Sequence, residues 1–213
     1  MKIIIWGDFA CPFCYLEETL LEQVAAEVKP DVEVYLEFRA YELDPEAPAV
    51  PTETMLQHFM RSHDLSQEAA EEQMARIVKM AARAGLKYNL EGVQVCSTMD
   101  AHRLMKMAAE KLDQQGLVKL NFSLFKANFI DNLRLSDHAV LTELGAAAGL
   151  DRTEVEQMLE SDRYKDLVRR NETDLDSRED MEYIPYMLIS GHDAPLQGVI
   201  SKGAFRKALE PEN

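Results

Sequence analysis

Cysteine is scarce in this sequence, with only three among 213 residues. A small and odd number of cysteines argues against a secreted scaffold held together by disulfides, which uses cysteine densely and in pairs. No apolar run approaches the length of a membrane-spanning helix. The run at residues 3–6 is too short for a signal peptide and no cleavage site follows it. We therefore expect a cytoplasmic protein with no membrane contact.

Positive charge is also scarce. The sequence has 23 Lys and Arg against 38 Asp and Glu, a formal net charge of −15 at pH 7, and no segment concentrates basic residues. A surface of this sign repels nucleic acid and anionic lipid, so neither is expected as a partner. The remaining composition, 46% hydrophobic and 29% charged, is ordinary for a globular protein that buries a substantial core.

The most informative motif is Cys11-Pro12-Phe13-Cys14, which follows the apolar run Ile3–Trp6. The run predicts a buried strand, and the residues after it predict a helix that begins at Pro12, a residue suited to the first helical position. A cysteine at a helix N-terminus lies near partial positive charge and unpaired N–H groups, which stabilise its thiolate. Two sulfurs one turn apart, the first at the helix tip, can cycle between dithiol and disulfide.

The predicted helix has an apolar stripe and a set of glutamates elsewhere around it. The stripe comprises Leu16, Leu20, Leu21, Val24 and Val28, and the glutamates are Glu17, Glu18, Glu22 and Glu27. We expect the stripe to face the core and the glutamates to lie on other faces.

Strand signals occur only near the two ends of the chain. Alternating apolar and polar residues predict a strand at 32–38, and apolar runs predict strands at 184–189 and 196–200. A final amphipathic helix is predicted at 202–209. Because neither end has enough strands for a stable sheet of its own, we expect both ends to contribute to one sheet.

The long middle of the chain, residues 52 to about 170, has a helical pattern almost throughout. Ser66 and Ser136 are predicted N-caps, and Gly85 and Gly149 are predicted helix stops. The sequence therefore predicts a helical insert between the two β-rich ends.

A set of short segments carries a family resemblance. They are Asp8–Tyr15 around the CxxC, Tyr41–Pro45, Asp100–Leu104, the dipeptide Ile184-Pro185 and Leu196–Ile200. Together they resemble the DsbA family, a thioredoxin fold with an inserted helical domain, and within it the FrnE-like cytoplasmic branch. The resemblance covers nearly the whole chain, and a CxxC combined with a strand-opening proline in this order is a specific pattern.

The resemblance implies an α/β fold, a thioredoxin fold interrupted by an all-helical insertion domain. Residues 1–51 and 176–213 would form the discontinuous thioredoxin-like domain, and residues 52–175 the insertion domain. Two departures stand out. The family usually has glycine-rich sequence where this chain has Asp-Ser-Arg-Glu-Asp-Met-Glu-Tyr at 176–183. The CxxC centre lacks the histidine of strongly oxidising relatives, which suggests a milder redox poise.

Roles follow for the motif residues. Cys11, first in the motif and nearest the helix tip, is the expected nucleophile, and Cys14 is the expected resolving thiol. The resemblance implies that Ile184-Pro185 is a cis peptide beside the active site, with the Ile184 backbone turned toward an extended substrate. The predicted substrate-binding residues are Pro12, Phe13, Ile184 and Pro185.

Three further residues are candidate modulators of the site. Cys96 is expected to be either a small packed residue, the usual environment of a free cysteine, or a third exchanging thiol. Asp8 either raises the thiol pKa or relays a proton, or it caps the active-site loop. His102, on the polar side of its helix, is either a surface or packing residue or a catalytic base.

Metal binding is the competing explanation of a CxxC, which forms half of many zinc sites. No second CxxC and no paired histidine spacing accompanies it. We therefore expect no metal and no cofactor beyond a redox-active Cys11–Cys14 disulfide, with glutathione as a candidate electron partner.

The predicted function is thiol–disulfide exchange with protein or small-molecule partners. One alternative is a glutathione-dependent isomerase or transferase, like chromene-carboxylate isomerase or kappa-class glutathione transferase. Those proteins typically use one activating residue, so the second cysteine speaks against it. The other alternative is a non-enzymatic module that binds peptides on the apolar face of the insert. No oligomeric state is predicted.

Overall fold

A computed structural model describes residues 1–28 and 34–210 of the protein. Its described strands form one sheet in the order β2-β1-β3-β4. Strand β1 pairs parallel with β2 and antiparallel with β3, and β3 pairs antiparallel with β4. The strands are β1 (Lys2–Gly7), β2 (Tyr35–Ala40), β3 (Tyr186–Ile189) and β4 (Leu196–Gln197). The prediction that the two ends share a sheet is therefore confirmed.

The strand boundaries differ in detail from those predicted. Strand β2 ends at Ala40, two residues beyond the predicted end, while Val32 and Glu33 of that prediction lie outside the described residues. Strand β3 begins only after Pro185, because proline has no N–H to donate to a ladder. Strand β4 is shorter than predicted and ends before Gly198, whose φ of 64° leaves the extended region.

Helices flank the sheet and fill the middle of the chain. They are α1 (Pro12–Val28), α2 (Met55–His63), α3 (Gln67–Arg83), α4 (Met99–Lys111), α5 (Gln114–Phe129), α6 (His138–Ala148), α7 (Arg152–Leu159), α8 (Lys165–Asp176) and α9 (Lys202–Leu209), with a 3₁₀ turn at Leu90–Gly92. Helices α2 to α8 lie between β2 and β3, as the predicted insert requires. The exact domain boundaries remain predictions.

Two of the predicted helix boundaries agree with the structure. Ser66 caps α3 through its hydroxyl, as predicted, and Gly149 ends α6 at a φ of 113°. The Ser136 prediction is wrong. Asp137 caps α6, whereas the Ser136 hydroxyl donates to the Ala49 carbonyl and so ties the loop after β2 to the insert.

Burial on α1 also departs from the prediction. Leu16, Leu21 and Val24 face the core as expected, but Glu17 and Glu18 are buried as well. Helix α1 packs on α9 on one side and on α3 and α5 of the insert on others. Few of its faces are therefore left for solvent.

Aromatic side chains of the insert hold the start of α1. Tyr15 stacks on Phe125 and on Tyr88, with ring centroids 5.2 and 5.7 Å apart. The buried Tyr88 hydroxyl donates a 2.7 Å hydrogen bond to the Pro12 carbonyl, inside the CxxC. The insert therefore fixes the position of the motif directly.

None of the helices in the described part of the chain combines the length and apolar character needed to cross a membrane.

We expect Tyr88→Phe to lower the free energy of unfolding by about 1–3 kcal/mol, because it leaves the buried Pro12 carbonyl without its donor. Urea denaturation measures this loss. The matched control is Tyr164→Phe, which removes a solvent-exposed hydroxyl bond to Glu110 and should cost less than about 0.5 kcal/mol. Equal losses in both variants would contradict the assigned role of Tyr88.

Candidate active site

The two motif cysteines lie at the N-terminus of α1, directly after β1. A turn precedes the helix, with the Cys11 N–H donating to the Asp8 carbonyl at 3.0 Å. Both cysteines are free thiols, and their exposed fractions are 4% for Cys11 and 0% for Cys14. Cys11 lines a cavity and Cys14 does not. A partner in that cavity therefore meets Cys11 before Cys14, and the roles of the two thiols stay predictions.

The environment of Cys14 favours its thiol form. Burial raises its pKa most, and contact with Cys11 and the nearby carboxyl of Glu18 raise the pKa further, well above the ordinary value. The arrangement suits a thiol that stays protonated until Cys11 has formed a bond to a partner.

The cavity beside Cys11 has a volume of about 440 Å³. Five other residues predicted from the sequence, namely Asp8, Pro12, Phe13, Cys96 and Ile184, also line it. The structure thus brings together residues separated by more than half the chain. Pro185 lies just outside the wall. The Ile184–Pro185 peptide bond is cis, which confirms the geometry that the family resemblance implied.

Asp8 is buried and accepts hydrogen bonds from several parts of the chain. Its Oδ1 accepts from the Ala10 N–H at 3.1 Å and from the Thr98 hydroxyl at 2.7 Å. Its Oδ2 accepts from the Leu43 N–H at 2.7 Å. Burial acts to raise the Asp8 pKa, but the contact with His102 and these hydrogen bonds outweigh it, so the net pKa is lowered. This geometry favours the loop-capping alternative over a proton relay.

His102 and Cys96 lie on the insert side of the site. His102 is buried, with Nε2 3.3 Å from Asp8 Oδ1 and its ring 4.9 Å from that of Phe9. His102 is thus a packing residue, one of the predicted alternatives, and it packs against the active-site loop. Cys96 is buried, as the packed-residue alternative expects, yet it shares the cavity wall with Cys11.

Glu18 is the functional candidate that the sequence reasoning missed. It is fully buried, and Asn121 of the insert donates to its Oε2 at 2.6 Å. A methyl group on Gly7 would lie 3.2 Å from Cys14 Sγ and 3.4 Å from Glu18 Oε1, so both groups face the same backbone. The pKa of Glu18 is raised to about 8. Burial is the largest cause, the hydrogen bond from Asn121 acts against it, and the charge of Glu22 adds to it. The available signal was spacing, because Glu18 lies four residues after Cys14 on the same helix face.

Within residues 1–28 and 34–210, no three side chains of the His, Cys, Asp and Glu types are grouped so that they could hold a metal ion.

The strand–loop–helix placement of the CxxC and the cis proline next to it coincide with a family match. The family model described as the DSBA-like thioredoxin domain matches residues 2–209. The chain belongs to this family.

Two individual proteins are similar to this chain over nearly its whole length. An uncharacterized protein of Bacillus subtilis, YwbO, is 26% identical over 100% of this chain and 97% of its own length. A crystal structure described as a probable DsbA oxidoreductase of Streptomyces coelicolor is 28% identical, with a TM-score of 0.88 and coverage of 98% of this chain and 88% of that chain. The thioredoxin fold with a helical insertion, predicted from the sequence, is thereby confirmed.

A more distant structure shares the fold alone. The cytosolic disulfide reductase DsbM of Pseudomonas aeruginosa, in a structure with GSH, is 17% identical with a TM-score of 0.62. The match covers 92% of this chain and 90% of that chain.

The raised Glu18 pKa predicts a pH dependence of stability. Between the ordinary glutamate pKa near 4.5 and about 8, the folded protein holds a proton that the unfolded chain has lost. The free energy of unfolding therefore falls as pH rises, by up to about 1.4 kcal/mol per pH unit from this group. Glu18→Gln removes this contribution, so the variant should gain stability relative to wild type from pH 5 to 8.

Urea denaturation at several pH values measures that difference directly. Glu17 and Glu42, whose pKa values burial raises to about 7, act in the same direction in both proteins and cancel from the comparison. Glu91→Gln, at an exposed position, is the control and should give a difference independent of pH. A Glu18→Gln difference that also stays constant would refute the protonated buried carboxyl.

Proposed function

We propose that this DSBA-like protein is a cytoplasmic thiol–disulfide oxidoreductase of the FrnE-like branch that works through Cys11 and Cys14. The observation that carries the proposal is the pair of free thiols at the start of α1. Cys11 lies on the cavity wall, whereas Cys14 is fully buried and outside the wall. Such a pair accepts or donates two electrons by forming or breaking one disulfide.

The proposed reaction has two steps. The Cys11 thiolate attacks a partner disulfide, forms a mixed disulfide and releases the first thiolate of the partner. Cys14 then loses its proton and attacks the Cys11 sulfur, which releases the second thiolate and leaves a Cys11–Cys14 disulfide. The reverse sequence oxidises a partner dithiol.

Glu18 is proposed to take the Cys14 proton. It shares the buried space behind Gly7 with the Cys14 sulfur, and its pKa of about 8 leaves a minor fraction ionised at neutral pH that can accept a proton. A general base works best when its pKa lies near the operating pH, so this step should become faster as the pH rises toward 8. In the reverse direction the same carboxyl returns the proton.

The substrate contacts are proposed from the cavity wall. Phe13 and Ile184 line the space beside Cys11, and Pro12 lies between the two thiols in the motif. Pro185 fixes the start of β3 and so the position of Ile184. These residues would hold a partner sulfur in line with Cys11.

The isomerase alternative has a fold-level relative, 2-hydroxychromene-2-carboxylate isomerase, 13% identical with a TM-score of 0.66. The presence of a second free thiol, Cys14, at the same helix start favours exchange, since a glutathione-dependent isomerase has no use for a resolving thiol. Neither that alternative nor the peptide-binding module is supported by a further observation.

In a Cys96→Ser background, so that only two thiols are counted, Cys11→Ser should abolish reaction with bis(2-hydroxyethyl) disulfide. Cys14→Ser should stop at the mixed disulfide, because nothing resolves it. Mass spectrometry of the quenched protein identifies each state. Full turnover by the Cys14→Ser variant would refute dithiol exchange and favour the isomerase alternative.

Glu18→Gln should slow release of the second thiol by about ten-fold or more, because Cys14 loses its nearby proton acceptor. Rapid-quench thiol measurements across pH 6 to 9 separate the two release steps. Glu27→Gln, at an exposed position further along α1, is the matched control and should leave the second step almost unchanged. If both variants resolve at the wild-type rate, Glu18 is not the acceptor.

A further inference from the structure

Access to Cys11 is restricted to the cavity. Only 4% of the residue is exposed, so a partner reaches its sulfur through the cavity. The cavity volume of about 440 Å³ lies in the range of sites that enclose small molecules. The partner of Cys11 must therefore fit inside this space.

The wall of the cavity is largely apolar. Its apolar side chains come from the insert, from the active-site loop and from the segment before β3, and include Phe13, Met55, Phe59, Val93, Leu135 and Met181. Leu43 and Tyr183 also line it and remain 54% and 62% exposed. Burial of apolar groups is therefore the main binding energy available to a ligand.

Charge on the wall disfavours anions. Among the described residues, no Lys or Arg lines the cavity, whereas Asp44 and Glu182 do. The cation nearest to Asp44 is Arg61, 3.9 Å away, and its guanidinium is bound at 2.7 Å to Glu53. A ligand carboxylate would lose its hydration here without gaining an ion pair.

Of the two histidines of the wall, one already has a carboxylate partner and the other packs on an aromatic ring. His58 lies with Nδ1 2.8 Å from Glu53, and the His63 ring packs 5.3 Å from that of Phe59. The net charge of −15 adds a repulsive field over the whole protein. Glutathione, which carries two carboxylates, therefore finds no Lys or Arg partner on the described wall.

We propose that the partner of the Cys11–Cys14 dithiol is a small, uncharged disulfide with apolar substituents, enclosed in the cavity; this inference rests on the proposed function. In one turnover the Cys11 thiolate displaces the first small thiolate, and Cys14 displaces the second. Two electrons pass from the reduced protein to the small disulfide. The products are two small thiols and the Cys11–Cys14 disulfide.

A single-turnover comparison of four disulfides tests the proposal. Reduced protein is mixed with dipropyl disulfide, bis(2-hydroxyethyl) disulfide, 3,3′-dithiodipropionate or oxidised glutathione, and each rate is divided by the rate of that disulfide with dithiothreitol. Dipropyl disulfide should exceed the two anionic disulfides by about ten-fold or more, and should also exceed its hydroxyl counterpart of equal size.

The possible failures are distinguishable. An equal or faster normalised rate for oxidised glutathione, or for the disulfides of insulin, would overturn the small apolar partner while leaving dithiol exchange intact. Absence of a Cys11–Cys14 disulfide with every reagent would instead overturn the proposed function.

Paired variants test the cavity itself. Ala47→Trp fills space on the wall from a loop position, and Ala49→Trp places the same bulk two residues away, at an exposed site outside the wall. The normalised rate with dipropyl disulfide should fall by about ten-fold in the first and stay within about two-fold in the second. Equal rates in both would show that the partner does not enter the cavity.

A substitution that changes the charge of the cavity wall tests the exclusion of anions without filling the cavity. Glu182 is exposed at the cavity wall, so Glu182→Lys supplies the missing cation at little risk to folding. The rate with 3,3′-dithiodipropionate should rise relative to dipropyl disulfide. An unchanged ratio would refute the electrostatic exclusion of anionic partners.

Discussion

The buried carboxylate of Asp8 is the interaction on which the rest of the site depends. Its two oxygens accept from the Ala10 N–H in the active-site loop, the Leu43 N–H after β2, and Thr98 and His102 of α4. Three separate parts of the chain are thereby fixed around one charge. Removing a partner from such a buried charge typically costs about 3–5 kcal/mol, so the arrangement is held together as a unit.

The insert does more than cover the site. It supplies most of the apolar wall of the cavity beside Cys11. Two asparagines of α5 also hold the start of the molecule in place. Asn121 donates to the Glu18 carboxyl at 2.6 Å, and Asn128 donates to the Phe9 carbonyl at 2.9 Å. The two thiols consequently have different surroundings, an accessible space for Cys11 and a sealed one with a carboxyl for Cys14. This division is what a two-step exchange needs.

Sequence reasoning succeeded where local patterns decide the structure. The strand–loop–helix around the CxxC, the sheet built from both ends and the bounds of α9 follow from periodicity, capping and strand number. It failed where distant segments decide burial. Glu18 lies off the apolar stripe of α1, and only the packing of α5 on α1 buries it. The cis geometry of Pro185 required the family resemblance, because proline alone favours the trans form.

The central claim is that Cys11 and Cys14, and not Cys96, form the redox-active pair, although Cys96 shares the cavity with Cys11. Oxidising the fully reduced protein with a single equivalent of diamide, alkylating the remaining thiols and mapping the peptides by mass spectrometry tests it most directly. The account predicts a Cys11–Cys14 disulfide with Cys96 alkylated. A Cys11–Cys96 disulfide, or three alkylated cysteines, would contradict it.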